Sequence, residues 1–166
     1  LESLVTTPVR GLEYLGGKLI AYVSTTLVGL IPVWLVATLL FGVPFNGNPF
    51  LFVAMTALFL MASMAQAVFI GSRVSSQQTA TVIALFVFFV PGFFLAGLID
   101  PIDTTNIAST AISYLLPATH FVTISRALFI KGATLVQIWR PVIALVAITA
   151  GWFTFGVLAF RKRINT

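Results

Sequence analysis

Residues 50–70 read FLFVAMTALFLMASMAQAVFI, a run from Phe50 to Ile70 with no charged side chain. A helix rises about 1.5 Å per residue, so about 20 apolar residues cross the roughly 30 Å of hydrocarbon in a bilayer. This run is long enough. Upstream, beyond the uncharged turn Gly42–Pro49, residues 19–41 read LIAYVSTTLVGLIPVWLVATLLF and qualify equally, as does Val142–Phe160 near the C-terminus. A further run at about 80–99, apolar from Val82 to Ile99, crosses only if it continues through Pro91-Gly92. None of the four alternates with period two, which argues against a lipid-facing barrel. The fold class is therefore all-α: a polytopic helical membrane protein with four spans, at about 19–41, 50–70, 80–99 and 142–160, plus short external re-entrant or interfacial helices.

Composition supports this. Of 166 residues 59% are hydrophobic and 8% charged, whereas a soluble domain carries about 25% charged residues. With a mean hydropathy of +1.08, too little polar surface is left to wrap a water-facing globule, and a soluble fold is excluded. Nine Lys and Arg against four Asp and Glu give a net charge of +5. The cations stand singly between apolar runs, apart from a C-terminal cluster, which is the pattern of loop charges and not of a phosphate-tracking stripe; nucleic acid is not an expected partner. No cysteine is present, so disulfides, zinc-thiolate sites, iron-sulfur clusters and thiol catalysis are excluded. The chain opens at Leu1 without a signal-like segment, and is expected to be the tail of a longer protein.

Arg10, Lys18, Arg73, Arg161, Lys162 and Arg163 fall on one side of the four runs. Arg126, Lys131 and Arg140, offset by Asp100 and Asp103, fall on the other. The positive-inside rule puts both ends of the chain in the cytoplasm, and four crossings satisfy that parity.

Residues 100–140 are too many for a simple turn and too apolar for a solvated loop. Ile107, Ala111, Ile112, Leu115 and Leu116 recur at helical spacing, Pro117 interrupts, and a second amphipathic stretch runs from Phe121 to Lys131-Gly132. Two short helices on or dipping into the outer leaflet are expected. Pro91-Gly92 either kinks one crossing helix, or ends it near Val90 so that Phe93–Ile99 turns back as a re-entrant piece.

Chemistry of its own is hard to find in this chain. Gly11–Leu19 looks like a phosphate-binding loop but lacks the glycine at 12, the hydroxyl at 19 and the preceding strand. No carboxylate, His or Lys lies within a span, as ion-coupled carriers require. The deepest polar groups are Thr56, Ser63, Gln66, Thr149 and Thr154, and Gln66 is expected to bond to a neighbouring helix. His120 has no second ligand at metal spacing, so packing is expected of it and no metal site. No catalytic residues are assigned and no enzyme is expected. Ser63, Ala67 and Gly71, and likewise Ala147 and Gly151, are spaced for close helix approach, either in general packing or in a dimer seam. The sixteen Phe suffice to line a cavity, although lipid-facing Phe is the commoner case.

The opening residues Leu1-Glu2-Ser3-Leu4-Val5-Thr6-Thr7-Pro8-Val9-Arg10, followed by Glu13-Tyr14-Leu15-Gly16-Gly17-Lys18, resemble the cytoplasmic signature of type-2 ATP-binding cassette exporter permeases, roughly E-x-L-x-x-T-P-V and then E-L-x-x-G-K. Residues 91–102, 114–121 and 126–132 resemble the external re-entrant region of the same family. Order and spacing agree across nearly the whole chain.

The resemblance implies that residues 1–17 form a cytoplasmic coupling helix and juxtamembrane turn ahead of a transmembrane domain over 18–166. Glu2, Leu4, Thr7, Pro8, Arg10, Glu13 and Lys18 would couple the chain to a separate nucleotide-binding ATPase subunit, which would hold ATP and Mg; no cofactor is expected in this chain. Pro91, Gly92, Gly97 and Pro117 would mark a re-entrant or gate region at about 91–132. The family permease has six spans, so these four would be its third to sixth, in the cell membrane, with a second permease subunit as partner. Outward movement of amphipathic, drug-like or lipid-like substrates is the expected function. The alternatives are a non-transporting membrane scaffold and a polysaccharide or glycolipid exporter.

Overall fold

A computed structural model describes residues 11–74, 76–98 and 106–164, with side chains except at 11–15, 18 and 156–164. Glu2, Leu4, Thr7, Pro8 and Arg10 lie outside the described residues. Among those described, all regular structure is helical. We number the helices α1 (Gly11–Leu35, continued by a wider π-type turn over Val36–Leu40), α2 (Pro49–Arg73), α3 (Gln77–Leu95), α4 (Ile107–Leu115), α5 (Pro117–Lys131) and α6 (Trp139–Ile164). Glu13 and Lys18 fall in the opening turns of α1, which is already helical at Gly11.

Local sequence explains the boundaries. Asn48 caps α2, its Oδ1 accepting from the amides of Phe50 at 2.8 Å and Leu51 at 3.3 Å, and Pro49 takes the first helical position, where its missing N–H costs nothing. Arg73 closes the helix, its guanidinium over the Phe69 ring at 5.2 Å. Asn106 caps α4 through the Ala108 amide. Pro117 starts α5, and Gly132, at φ 59°, ends it in the left-handed conformation that glycine tolerates.

At Pro91-Gly92 the structure matches the first of the two readings, a helix that continues past the proline. The helix neither stops near Val90 nor turns back; it runs on to Leu95 and breaks at Ala96–Leu98, where Gly97 has φ 76°. The turn before the proline is a π-turn over Leu85–Phe89, with the Val90 amide bonded to the Leu85 carbonyl. Pro91 would otherwise leave its fourth preceding carbonyl unmet and press its ring against it; the widened turn gives that ring room.

Helix α2 is the centre of the packing. Phe69 meets Trp152 of α6 edge to face at 5.2 Å, while Phe52, at the other end of α2, clusters with Ile138 and Leu145, so α2 and α6 run parallel. Helix α5 runs antiparallel to α2: Phe129 lies 5.1 Å from Phe52, and Phe121 stacks on Phe59 at 4.5 Å. Ile124 and Leu128 of α5 are fully buried. This helix is part of the core, so of the two expected placements, on the leaflet or dipping into it, its packing favours the second.

Arg126 of α5 donates from Nη2 to the Leu98 carbonyl at 3.0 Å, which ties α5 to the break that ends α3. Between them α4 and α5 bend by 77° at Leu116. The bend is held by Thr119 Oγ1 donating to the Ser113 carbonyl at 2.5 Å and by His120 Nε2 bonded to the Tyr114 carbonyl at 2.9 Å. Both bonds reach carbonyls in the last turn of α4, and that of Ser113 also accepts from the Leu116 amide at 3.1 Å.

Three of the described helical stretches, Leu19–Leu40, Pro49–Arg73 and Gln77–Leu95, are long and apolar enough to cross a bilayer. The part of α6 with described side chains, Trp139–Phe155, is apolar on average though shorter than a full span, and its backbone continues to Ile164, about 39 Å in all. The chain is a multi-pass helical membrane protein.

Candidate functional site: an apolar cavity beneath the re-entrant bend

The bend at Leu116-Pro117 roofs a cavity of about 390 Å³ between α2, α3 and α5. Its walls are mostly apolar and include five Phe: Phe59 from α2, Phe88, Phe89 and Phe93 from α3, and Phe121 from α5. The helical frame explains why they converge. Gly92 leaves α3 close to α5, since a Cβ there would stand 3.7 Å from that of Ala118. Stacking on Phe59 aims Phe121 down the same wall.

Of the residues marked by sequence for the gate region, Gly92 and Pro117 line this cavity, whereas Pro91 and Gly97 do not. Glu13 and Lys18 belong to α1, which contributes nothing to its walls. Five Phe line the cavity, while Phe50, Phe86, Phe94 and Phe155 are exposed on outward faces. Ser63 and Ala67 also face it, whereas Gly71 and Gly151 have open space where a Cβ would stand and bring no helix close.

The polar groups within the spans divide sharply. Thr56, Ser63, Thr149 and Thr154 each donate to the carbonyl four residues back, at 2.7–3.0 Å. A hydroxyl on a short side chain reaches its own helix in this way and needs no outside partner. Gln66 is different. It lines the cavity, is 6% exposed, and its Nε2 is buried without a hydrogen-bond partner. Sequence reasoning expected this amide to bond to a neighbouring helix, and the structure leaves it unmet. The signal was present, because Gln66 is the one amide in an otherwise apolar or hydroxyl-bearing run and its two-carbon stem carries the donor away from the helix backbone.

Among the described residues no charged side chain lines the cavity. Three of the described cations are engaged elsewhere: Arg73 over Phe69, Arg140 over Trp139 at 5.5 Å, and Arg126 on the Leu98 carbonyl. Among the described residues no three His, Asp or Glu side chains gather, and His120 is buried against Tyr114. The arrangement suits enclosing an apolar molecule and offering it one hydrogen-bond donor.

Comparison with known proteins agrees with this architecture. The profile of a family described as "ABC-2 family transporter protein" matches residues 1–158. The chain is 27% identical over 165 residues to the "Probable multidrug ABC transporter permease YbhS" of Escherichia coli (strain K12), covering 99% of this chain and 44% of that protein. It is 25% identical over 169 residues to the "Probable multidrug ABC transporter permease YbhR" of the same strain, and 30% identical over 168 residues to its "Inner membrane transport permease YhhJ", again spanning 44% of each relative. No solved structure matches. The chain thus spans less than half the length of the relatives it resembles. A match over residues 1–158, on a chain of apolar helices with a re-entrant bend, makes this polypeptide a member of the ABC-2 family of transporter proteins.

Proposed function

We propose that the chain is the C-terminal membrane part of a permease subunit in an ATP-driven exporter, moving amphipathic, drug-like or lipid-like molecules outward. The observation that carries the reading is the cavity: about 390 Å³, walled in part by Phe and with no charged lining residue among those described. That volume lies in the range of about 300–1,000 Å³ typical of small-molecule sites, and favours a compact lipophilic substrate over a polysaccharide chain. Family membership supports the transport role.

In this reading ATP and Mg are bound by a separate nucleotide-binding subunit, and a second permease subunit completes the path. Glu2, Leu4, Thr7, Pro8 and Arg10 seat in the ATPase, and Glu13 and Lys18 pass the movement into α1, whose packing on α2 carries it to the cavity wall. The partner must bind one arrangement of the helices more tightly than the other, since only differential affinity shifts an equilibrium. The six cations on the Arg73 side support an orientation in the cell membrane in which that side, with both chain ends, faces the cytoplasm.

The test uses the full-length protein with its ATPase partner in proteoliposomes. Glu2→Lys and Pro8→Ala should each lower substrate-stimulated ATP hydrolysis severalfold with membrane insertion intact; unchanged stimulation in both variants would remove the coupling assignment.

A further inference from the structure

We infer that the cavity binds an uncharged lipophilic molecule through a carbonyl-type oxygen that accepts a hydrogen bond from Gln66 Nε2. Three observations converge. Apart from Ser63 and Gln66 the lining is apolar, with no charged residue among those described, so a charged group buried there would go uncompensated by them. The Ser63 hydroxyl already donates to the Phe59 carbonyl at 3.0 Å and is left only as an acceptor. Gln66 Nε2 is a buried donor with nothing to donate to, on a side chain that faces the cavity and is 6% exposed. An unmet buried amide is costly, and a bound acceptor removes that cost where a hydrocarbon of the same shape does not. The discrimination therefore runs toward ligands with an oxygen acceptor and against both ions and plain hydrocarbons.

Such an oxygen is found in two sources, a free lipophilic ketone or amide and the ester of a membrane lipid. Gln66 lies seven residues from Arg73 at the end of α2, about 10 Å deeper along the helix. A lipid ester would have to leave the interface to reach it; a free molecule dissolved in the bilayer would not. The inference names the substrate class of the exporter proposed above, but binding itself needs no ATPase, so the two readings fail separately.

The experiment is equilibrium binding of radiolabelled 9-fluorenone and of fluorene, which differ by one carbonyl oxygen, to the full-length protein in nanodiscs without the ATPase subunit. Empty nanodiscs supply the lipid background. Wild type should prefer fluorenone roughly fivefold, the equivalent of one net hydrogen bond. Gln66→Leu, and Gln66→Met as a second variant, should remove the preference without lowering thermal stability, since each deletes an unmet amide. Ala67→Phe, which fills the cavity from a position already partly outside it, should weaken both ligands. Equal binding of the two compounds by wild type, a preference that survives both Gln66 variants, or unchanged binding in Ala67→Phe would overturn the proposal. Tighter fluorenone binding in diether than in diester phosphatidylcholine would support the site with a lipid ester as its resident, and equal binding in the two would support a free molecule. Should the preference hold while no substrate stimulates ATP hydrolysis in the complete complex, the site stands and the exporter reading falls.

Discussion

The Asn46 side chain donates from Nδ2 to the carbonyl of Ile130 at 3.1 Å, joining residues 84 apart in sequence. The Asn46 amide also donates to the Phe129 carbonyl at 3.1 Å. Together these bonds fasten the end of α5 to the loop between α1 and α2, and so hold one wall of the cavity to that end of the bundle. Two glycines permit the approach. A Cβ on Gly132 would stand 2.7 Å from the Asn46 carbonyl oxygen, and one on Gly47 would stand 2.7 Å from that of Leu128.

Gly132→Ala should therefore destabilise the full-length protein by about 1–3 kcal/mol, because it adds a left-handed non-glycine residue to a backbone collision. Gly47→Ala should destabilise it through the collision alone. Gly29→Ala, in α1 with open space around it, should be neutral or slightly stabilising. Thermal unfolding in detergent, followed by near-ultraviolet circular dichroism, ranks the three. Equal midpoints for Gly132→Ala and Gly29→Ala would count against the described contact.

The Phe ladder makes a second prediction. Phe52 is buried and meets Phe45, Phe121 and Phe129, whereas Phe86 is 65% exposed. Phe52→Ala should cost about 3 kcal/mol through the cavity it leaves, and Phe86→Ala should cost little in the isolated subunit. The same unfolding measurement separates them, and comparable losses would mean that Phe86 is packed after all.

Thr119 and His120 hold the bend between α4 and α5. Since the Tyr114 carbonyl can only accept, His120 Nε2 carries the proton in that bond. Thr119→Val removes one of the two hydrogen bonds to the Ser113 carbonyl, which keeps that of the Leu116 amide, and should cost about 1 kcal/mol, while Thr119→Ser should be close to wild type. Hydrogen exchange over residues 107–120 should quicken in Thr119→Val alone. Matching exchange in the two variants would show that this bond does not hold the bend.

Much of the fold was legible in the sequence. Apolar length marks α1 and α2, and the amphipathic stretch from Phe121 to Lys131-Gly132 lies within α5. The rest was hidden for physical reasons. A proline reports only the hydrogen bond it cannot make, so Pro91 left a kink and a stop equally open; the π-turn over Leu85–Phe89 that accommodates it has no residue pattern of its own. An amphipathic stretch such as Phe121–Leu128 looks the same whether its apolar face meets lipid or other helices, because both surroundings are apolar. Gln66 was visible as an unusual residue, but whether its amide was bonded depended on how α2, α3 and α5 are spaced.

Sidedness is directly measurable, since this chain has no cysteine of its own. In a cysteine-free form of the full-length protein, Val43→Cys in the α1–α2 loop should react with a membrane-impermeant maleimide in intact cells. Ser76→Cys, beyond Arg73, should react only after the membrane is opened. The reverse pattern would invert the orientation.

The central claim is that this polypeptide moves its cargo with force supplied by a partner ATPase. Its most direct test is transport of a lipophilic dye by the full-length protein reconstituted in liposomes with and without the nucleotide-binding subunit. The account predicts transport only with that subunit and hydrolysable ATP, and none when the ATP is replaced by a non-hydrolysable analogue. Transport by the permease alone, sustained with no nucleotide hydrolysed, would contradict it.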